Sequence, residues 1–182
     1  CGLKTDTAGR ENLNMLPLNT FKTIIASTPL ISIDLIVRNN QQQILLGKRL
    51  NRSAQGFWFV PGGRILKDES LKSAFKRLIK VELGVQEQVL QDHSSTFKGI
   101  CQHFYEDNVT GSDFNTHYVV LAYEITLTND LNSLVNALPK EQHNEYQWLT
   151  ETELLNHKYV HTHTKWYFQE GQNADASLIN KN

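Results

Sequence analysis

The chain has 182 residues, 40% of them hydrophobic, with 18 basic and 19 acidic side chains and a formal net charge of −1. That length suits one domain with its own core, and the charge balance lacks the broad positive field that duplex nucleic acid demands of a partner. No run approaches the roughly 18 apolar residues of a membrane span, and the two cysteines, Cys1 and Cys101, argue against a disulfide framework and fit a reducing cytoplasm.

The first fourteen residues, CGLKTDTAGRENLN, show no hydrophobic periodicity and precede the single methionine, Met15. They read as an expression-tag remnant outside the fold, with no signal peptide visible. Apolar runs at Leu30 to Val37 and Gln43 to Lys48 flank Asn39-Asn40 and suggest a hairpin. A strand-like run, Phe57-Trp58-Phe59-Val60, leads into Pro61-Gly62-Gly63, where glycine lets the backbone turn sharply and approach a ligand or ion. Beyond it, Leu71, Ala74, Phe75, Leu78 and Ile79 recur at the spacing of an amphipathic helix that runs to Gly84. Glu82 falls on the same apolar face, four residues past Leu78. It is either a metal ligand, able to share a cation with a carbonyl of the glycine loop, or a last-turn glutamate that bends outward to solvent.

A second strand pair, Thr96 to Tyr105 and Thr116 to Thr126, surrounds the polar turn Asp107 to Ser112. A strand at Tyr146 to Leu149 precedes Thr150-Glu151-Thr152-Glu153, whose spacing is that of a capping box opening a short helix. Thr164 to Glu170 forms a last helix, and Gln172 to Asn182 a polar, frayed tail. Strands with two or three helices predict an α/β sandwich in one domain over residues 15–171. His157, His161 and His163 have metal-like spacing but no cysteine or glutamate company, and are expected at the surface. His143, in a polar loop, is a candidate general base, because a neutral imidazole takes a proton at physiological pH.

Gly63, five residues, Glu69, seven residues, Arg77, then Glu82, Gly84 and Val85 together resemble the Nudix box, the signature of hydrolases acting on nucleoside diphosphates linked to another group. That box normally has a glutamate directly after its arginine and a pair of glutamates four residues on. Here those places hold Leu78, Val81 and Glu82. Fewer carboxylates hold fewer divalent ions, which favours one magnesium on a diphosphate. The phrases Ser27-Thr28-Pro29-Leu30, Leu46-Gly47-Lys48-Arg49, Gln102-His103-Phe104-Tyr105, Thr116-His117-Tyr118 and Glu141-Gln142-His143 are similar to the GDP-mannose mannosyl hydrolase subgroup. The likeness extends from about Phe21 to Phe168.

The resemblance implies a Nudix α/β/α sandwich whose mixed β-sheet is flanked by helices. It implies one magnesium per subunit, replaceable by manganese, held by the Gly62 carbonyl, the Glu82 carboxylate and the Gln142 side-chain oxygen. Arg49 and Arg64 would contact diphosphate or sugar, His103 and Tyr118 would lie near the phosphates and leaving group, and Asp34 near the mannose. Arg77 would brace the box by pairing with Glu69. The implied protein is a cytoplasmic homodimer that hydrolyses GDP-mannose, and in some members GDP-glucose, to GDP and free sugar, with His143 activating water and inversion at C1. The alternatives are a pyrophosphohydrolase attacking phosphorus, which a further loop glutamate would favour, and an inactive nucleotide-sugar-binding module.

Overall fold

The computed structural model describes residues 16–50, 54–85, 95–127, 138 and 143–169. Among them run helix α1 (Leu18–Ser27), strands β1 (Leu30–Arg38), β2 (Ile44–Arg49), β3 (Trp58–Phe59) and β4 (Gly62–Arg64), and helix α2 (Leu71–Leu83). Strands β5 (Ser95–Tyr105), β6 (Thr116–Thr126) and β7 (His143–Leu149) follow, then the short helices α3 (Glu151–Asn156) and α4 (Thr162–Trp166). All seven strands join one mixed sheet.

Strand β1 is the axis. It pairs in parallel with β6 along its whole length, from Leu30 opposite Tyr118 to Arg38 opposite Thr126. Its other edge is shared. β4 runs antiparallel to its first half, Ser32 to Arg64 and Asp34 to Gly62, whereas β2 meets it only at the hairpin end, Arg38 to Ile44. β2 then diverges to pair with β3 and β7.

Alternation along β1 sorts its side chains onto two faces. Ile33, Leu35 and Val37 pack with Ala74, Leu78, Ile79 and Leu83 of α2. Ile36 faces the other way, with Trp58, Val60, Cys101, Val120, Leu154 and Tyr167. Helices therefore cover both faces, as expected of an α/β sandwich. α2 starts where the Ser70 side chain accepts the Ser73 N–H at 3.1 Å, and stops at Gly84, whose φ of 65° is left-handed. The capping box on α3 is present, with Glu153 returning to the Thr150 N–H.

The glycine loop is clamped to α2. Arg77 donates from Nε to Glu69 Oε1 at 2.7 Å and from Nη2 to Glu69 Oε2 at 2.8 Å, and Nη2 also reaches the Arg64 carbonyl at 2.8 Å. Glu69 accepts the Leu66 N–H as well. Gly63 lies so close to the helix that an added Cβ would sit 2.7 Å from Leu78 Cδ2.

Three expectations are corrected. Helix α1 was not foreseen, because it has no side-chain cap, no acidic residue in its first turn and no basic residue in its last. The final helix spans Thr162–Trp166 rather than starting at Thr164, and Glu170 lies outside the described residues. His143 belongs to strand β7, not to a loop. Replacing Arg77 by alanine removes the fork and leaves Glu69, whose side chain is only 13% exposed, without its ion partner. The expected loss is about 2–3 kcal/mol of stability, read from urea unfolding; a change under about 0.5 kcal/mol would show the clamp to be ornamental.

Candidate functional site

On α2 the buried positions are Ala74, Leu78, Ile79, Glu82 and Leu83. Glu82 is 3% exposed, so the outward-bending reading is wrong. Of the two positions lacking a box carboxylate, Leu78 is core and Val81 faces water. Glu82 is thus the carboxylate that α2 buries. The donor set fits an ion that keeps most of its ligands as water and phosphate: one buried carboxylate and backbone oxygens at a tight glycine loop. Among the described residues no group of three or more His, Cys, Asp or Glu side chains could cage a metal. Gln142 lies outside the described residues.

The loop meets β1 closely. A Cβ on Gly62 would sit 2.6 Å from both Asp34 Oδ1 and the Ile33 carbonyl, so only glycine allows this strand to lie against the Asp34 carboxylate. Asp34 points to the face opposite α2. The sheet brings His103 and Tyr105 of β5, Tyr118 of β6, Arg49 at the end of β2 and Arg64 of β4 toward it. The Arg49 guanidinium lies 5.4 Å from the Phe59 ring centre, and that of Arg64 lies 4.0 Å from the ring of Phe21 on α1. His143 is backbone-paired with Arg49, which puts the candidate base on the strand beside the candidate phosphate arginine.

Burial pushes the Asp34 carboxyl up to about 6, against the pull of the Tyr167 hydroxyl and of Arg49. Burial likewise raises the Tyr118 and Tyr105 phenols. Positive charge in the site therefore belongs to guanidinium groups.

Sequence reasoning missed the part of the site that follows β7. His163 is buried and His161 half-buried, so their expected surface placement is wrong. The cause is backbone pairing: Trp58 donates its N–H to the Tyr159 carbonyl and accepts the His161 N–H, which stitches the segment before α4 onto β3. His161 then stacks on Phe59 at 4.6 Å, and His163 stacks on His103 at 4.2 Å with 8° between the rings. Burial, with like-charge repulsion inside the group, holds His103 and His163 down at about 3, and burial with Arg49 holds His161 at about 4. All three are neutral at pH 7. Beside them a cavity of about 520 Å³ is lined by Ala54, Phe104, Tyr105, Glu106, Asp107, Ser112 and His161.

The NUDIX domain profile matches residues 28–169. The chain is similar to the low-salt glycan biosynthesis protein Agl8 of Haloferax volcanii, 40% identical over 116 residues that cover 63% of this chain and 70% of that one. Among solved structures, the MutT protein from Methanosarcina mazei Go1 superposes with a TM-score of 0.56 at 21% identity, over 86% of this chain and 99% of that one. The Ap4A hydrolase of C. elegans does so with a TM-score of 0.54 at 14% identity, over 83% and 99%. At those identities the structural likeness shows the fold alone. No helix among the described residues is long and apolar enough to cross a membrane.

The neutral imidazoles set a pH dependence. His103, His161 and His163 bind protons near 6.5 when unfolded but only near 3 to 4 when folded. The unfolded chain therefore takes up protons first as pH falls. The stability these groups lend is complete above about 6.5 and drains away below it, toward about 4. Asp34, raised rather than lowered, opposes this over part of the same range. The urea midpoint is expected to fall between pH 7.5 and 5, and to fall less in His163→Asn. An equal fall in both proteins would contradict the buried neutral state of His163.

Proposed function

Within the Nudix hydrolase family, to which this chain belongs, we propose that the protein hydrolyses GDP-mannose to GDP and free mannose by attack of water at the sugar C1. The observation that carries this is the fate of the box carboxylates: Leu78 has become core, Val81 faces solvent and Glu82 alone stays buried. A helix with one such carboxylate is poorly equipped to gather several divalent ions around a phosphorus under attack. It suffices for a single ion whose task is to neutralise a departing group. The Agl8 relative, by its name a glycan biosynthesis protein, supports a nucleotide sugar as substrate.

The chain's residues take these roles in the proposal. Arg49 and Arg64 present planar forks to the diphosphate. Asp34 accepts from a sugar hydroxyl. Tyr118, whose phenol stays protonated, donates toward the leaving oxygens, and His103 lies behind it. His143 accepts a proton from the attacking water, and the water enters C1 opposite the diphosphate, so configuration inverts. Magnesium, held by Glu82, the Gly62 carbonyl and Gln142, would stabilise negative charge on the departing GDP. A cytoplasmic homodimer completes the proposal.

Incubation with GDP-mannose and magnesium, followed by chromatography of the nucleotides and proton NMR of the sugar, is expected to give GDP and mannose that appears first as the β anomer. GMP with mannose phosphate would instead establish a pyrophosphohydrolase, and no turnover a binding module. Glu82→Gln is expected to lower turnover by roughly 100-fold or more, with the fold intact by circular dichroism. Near-normal turnover would remove Glu82 from the metal site.

A further inference from the structure

The geometry around α4 assigns a task to a residue outside the site so far described. We propose that Tyr167 is a positioning residue, whose hydroxyl spends its proton on the Asp34 carboxylate and thereby fixes His103 in the tautomer protonated on Nε2. Tyr167 follows α4 and is 8% exposed. Its ring belongs to the apolar cluster of Ile36, Cys101, Val120 and Leu154, which holds the hydroxyl in place. The hydroxyl donates to Asp34 Oδ2 at 2.7 Å and lies 3.3 Å from His103 Nε2.

A phenol has one proton to give. The shorter contact is to a carboxylate, where a charge-assisted bond is strongest. With that proton committed, the contact to His103 can be a hydrogen bond only if Nε2 carries a hydrogen and donates to the phenol oxygen. The lone pair of His103 is then on Nδ1. The stack of His103 on His163 fixes the plane of the ring, and the bond from Nε2 fixes its rotation within that plane.

The span also explains why a third element is needed. Asp34 and His103 lie on β1 and β5, with β6 between them, and are offset along the strands, Asp34 being level with Ala122 and His103 with Tyr118, a backbone separation of roughly 16 Å from strand spacing and rise together. Val120 and Ala122, the β6 residues on that face, are aliphatic and offer no polar group to bridge the gap. Tyr167 reaches over it and ties the two side chains together. Tyr167 thereby holds the carboxylate that the nucleotide-sugar reading gives to a sugar hydroxyl. The effect on turnover rests on that reading, whereas the tautomer does not.

The test uses the full chain with ¹⁵N-labelled histidine at pH 7.5, and Tyr167→Phe beside it. Long-range ¹H–¹⁵N spectra are expected to show His103 protonated on Nε2 in the native protein, with Nδ1–H appearing in Tyr167→Phe. Turnover of GDP-mannose is expected to fall on the order of 10-fold in kcat, with KM changed far less, as for a contact that tightens in the transition state. A native His103 protonated on Nδ1, or an unchanged tautomer in Tyr167→Phe, would overturn the proposal. Should Tyr167→Phe fail to fold, the native tautomer decides alone. Should the native enzyme fail to turn over GDP-mannose, the proposed function falls and the tautomer still decides this point.

Discussion

The pairing of Glu69 with Arg77 is the constraint on which the site depends. Both carboxylate oxygens are engaged by one guanidinium, which also holds the Arg64 carbonyl. The Arg77 pairing accordingly keeps the Glu69 carboxyl below the usual carboxylate range. A loop containing two adjacent glycines has much conformational freedom to lose, and this fork removes it by tying β4 to the second turn of α2. Once that register is set, Leu78 must sit on Gly63, and Glu82, one turn further, remains on the buried face of the helix.

α2 buries a single carboxylate, Glu82. The face of the sheet that carries Asp34 gathers guanidinium groups, high-pKa phenols and uncharged imidazoles. The imidazoles are neutral because burial removes the water that would stabilise their cations. They can orient partners by hydrogen bonding without competing with Arg49 and Arg64 for an anion. Asp34 sits at the junction, between the glycine strand and Tyr167.

Most of the fold could be read from the chain because its signals are local. The three-and-four spacing of α2, its serine and glycine caps, the box spacing that pairs Glu69 with Arg77 and the Thr150–Glu153 box all lie within a few turns of one another. The apolar stripe left Glu82 either buried or bent outward to solvent, and the packing of α2 decides for burial. What failed was set by distant pairing. Nothing around His161 or His163 signals that the backbone from Tyr159 to His161 adds to β3, about a hundred residues upstream, and residue type alone then favours the surface. His143 opens a strand whose first residues, His-Asn-Glu, have no apolar pattern, and only pairing across an irregularity in β2 extends it that far. α1 is held by an apolar residue, Ile25, and by Phe21 against Arg64, with no terminal signal to announce it.

Whether this arrangement directs water to carbon or to phosphorus is open to direct measurement. GDP and free mannose could arise from either attack, because water at the β-phosphorus also releases both. Hydrolysis of GDP-mannose in oxygen-18 water, with mass spectrometry of both products, locates the broken bond. Heavy oxygen in mannose and ordinary GDP is the result expected of a helix that buries Glu82 alone. Heavy oxygen in GDP, GMP or mannose phosphate would contradict attack at carbon.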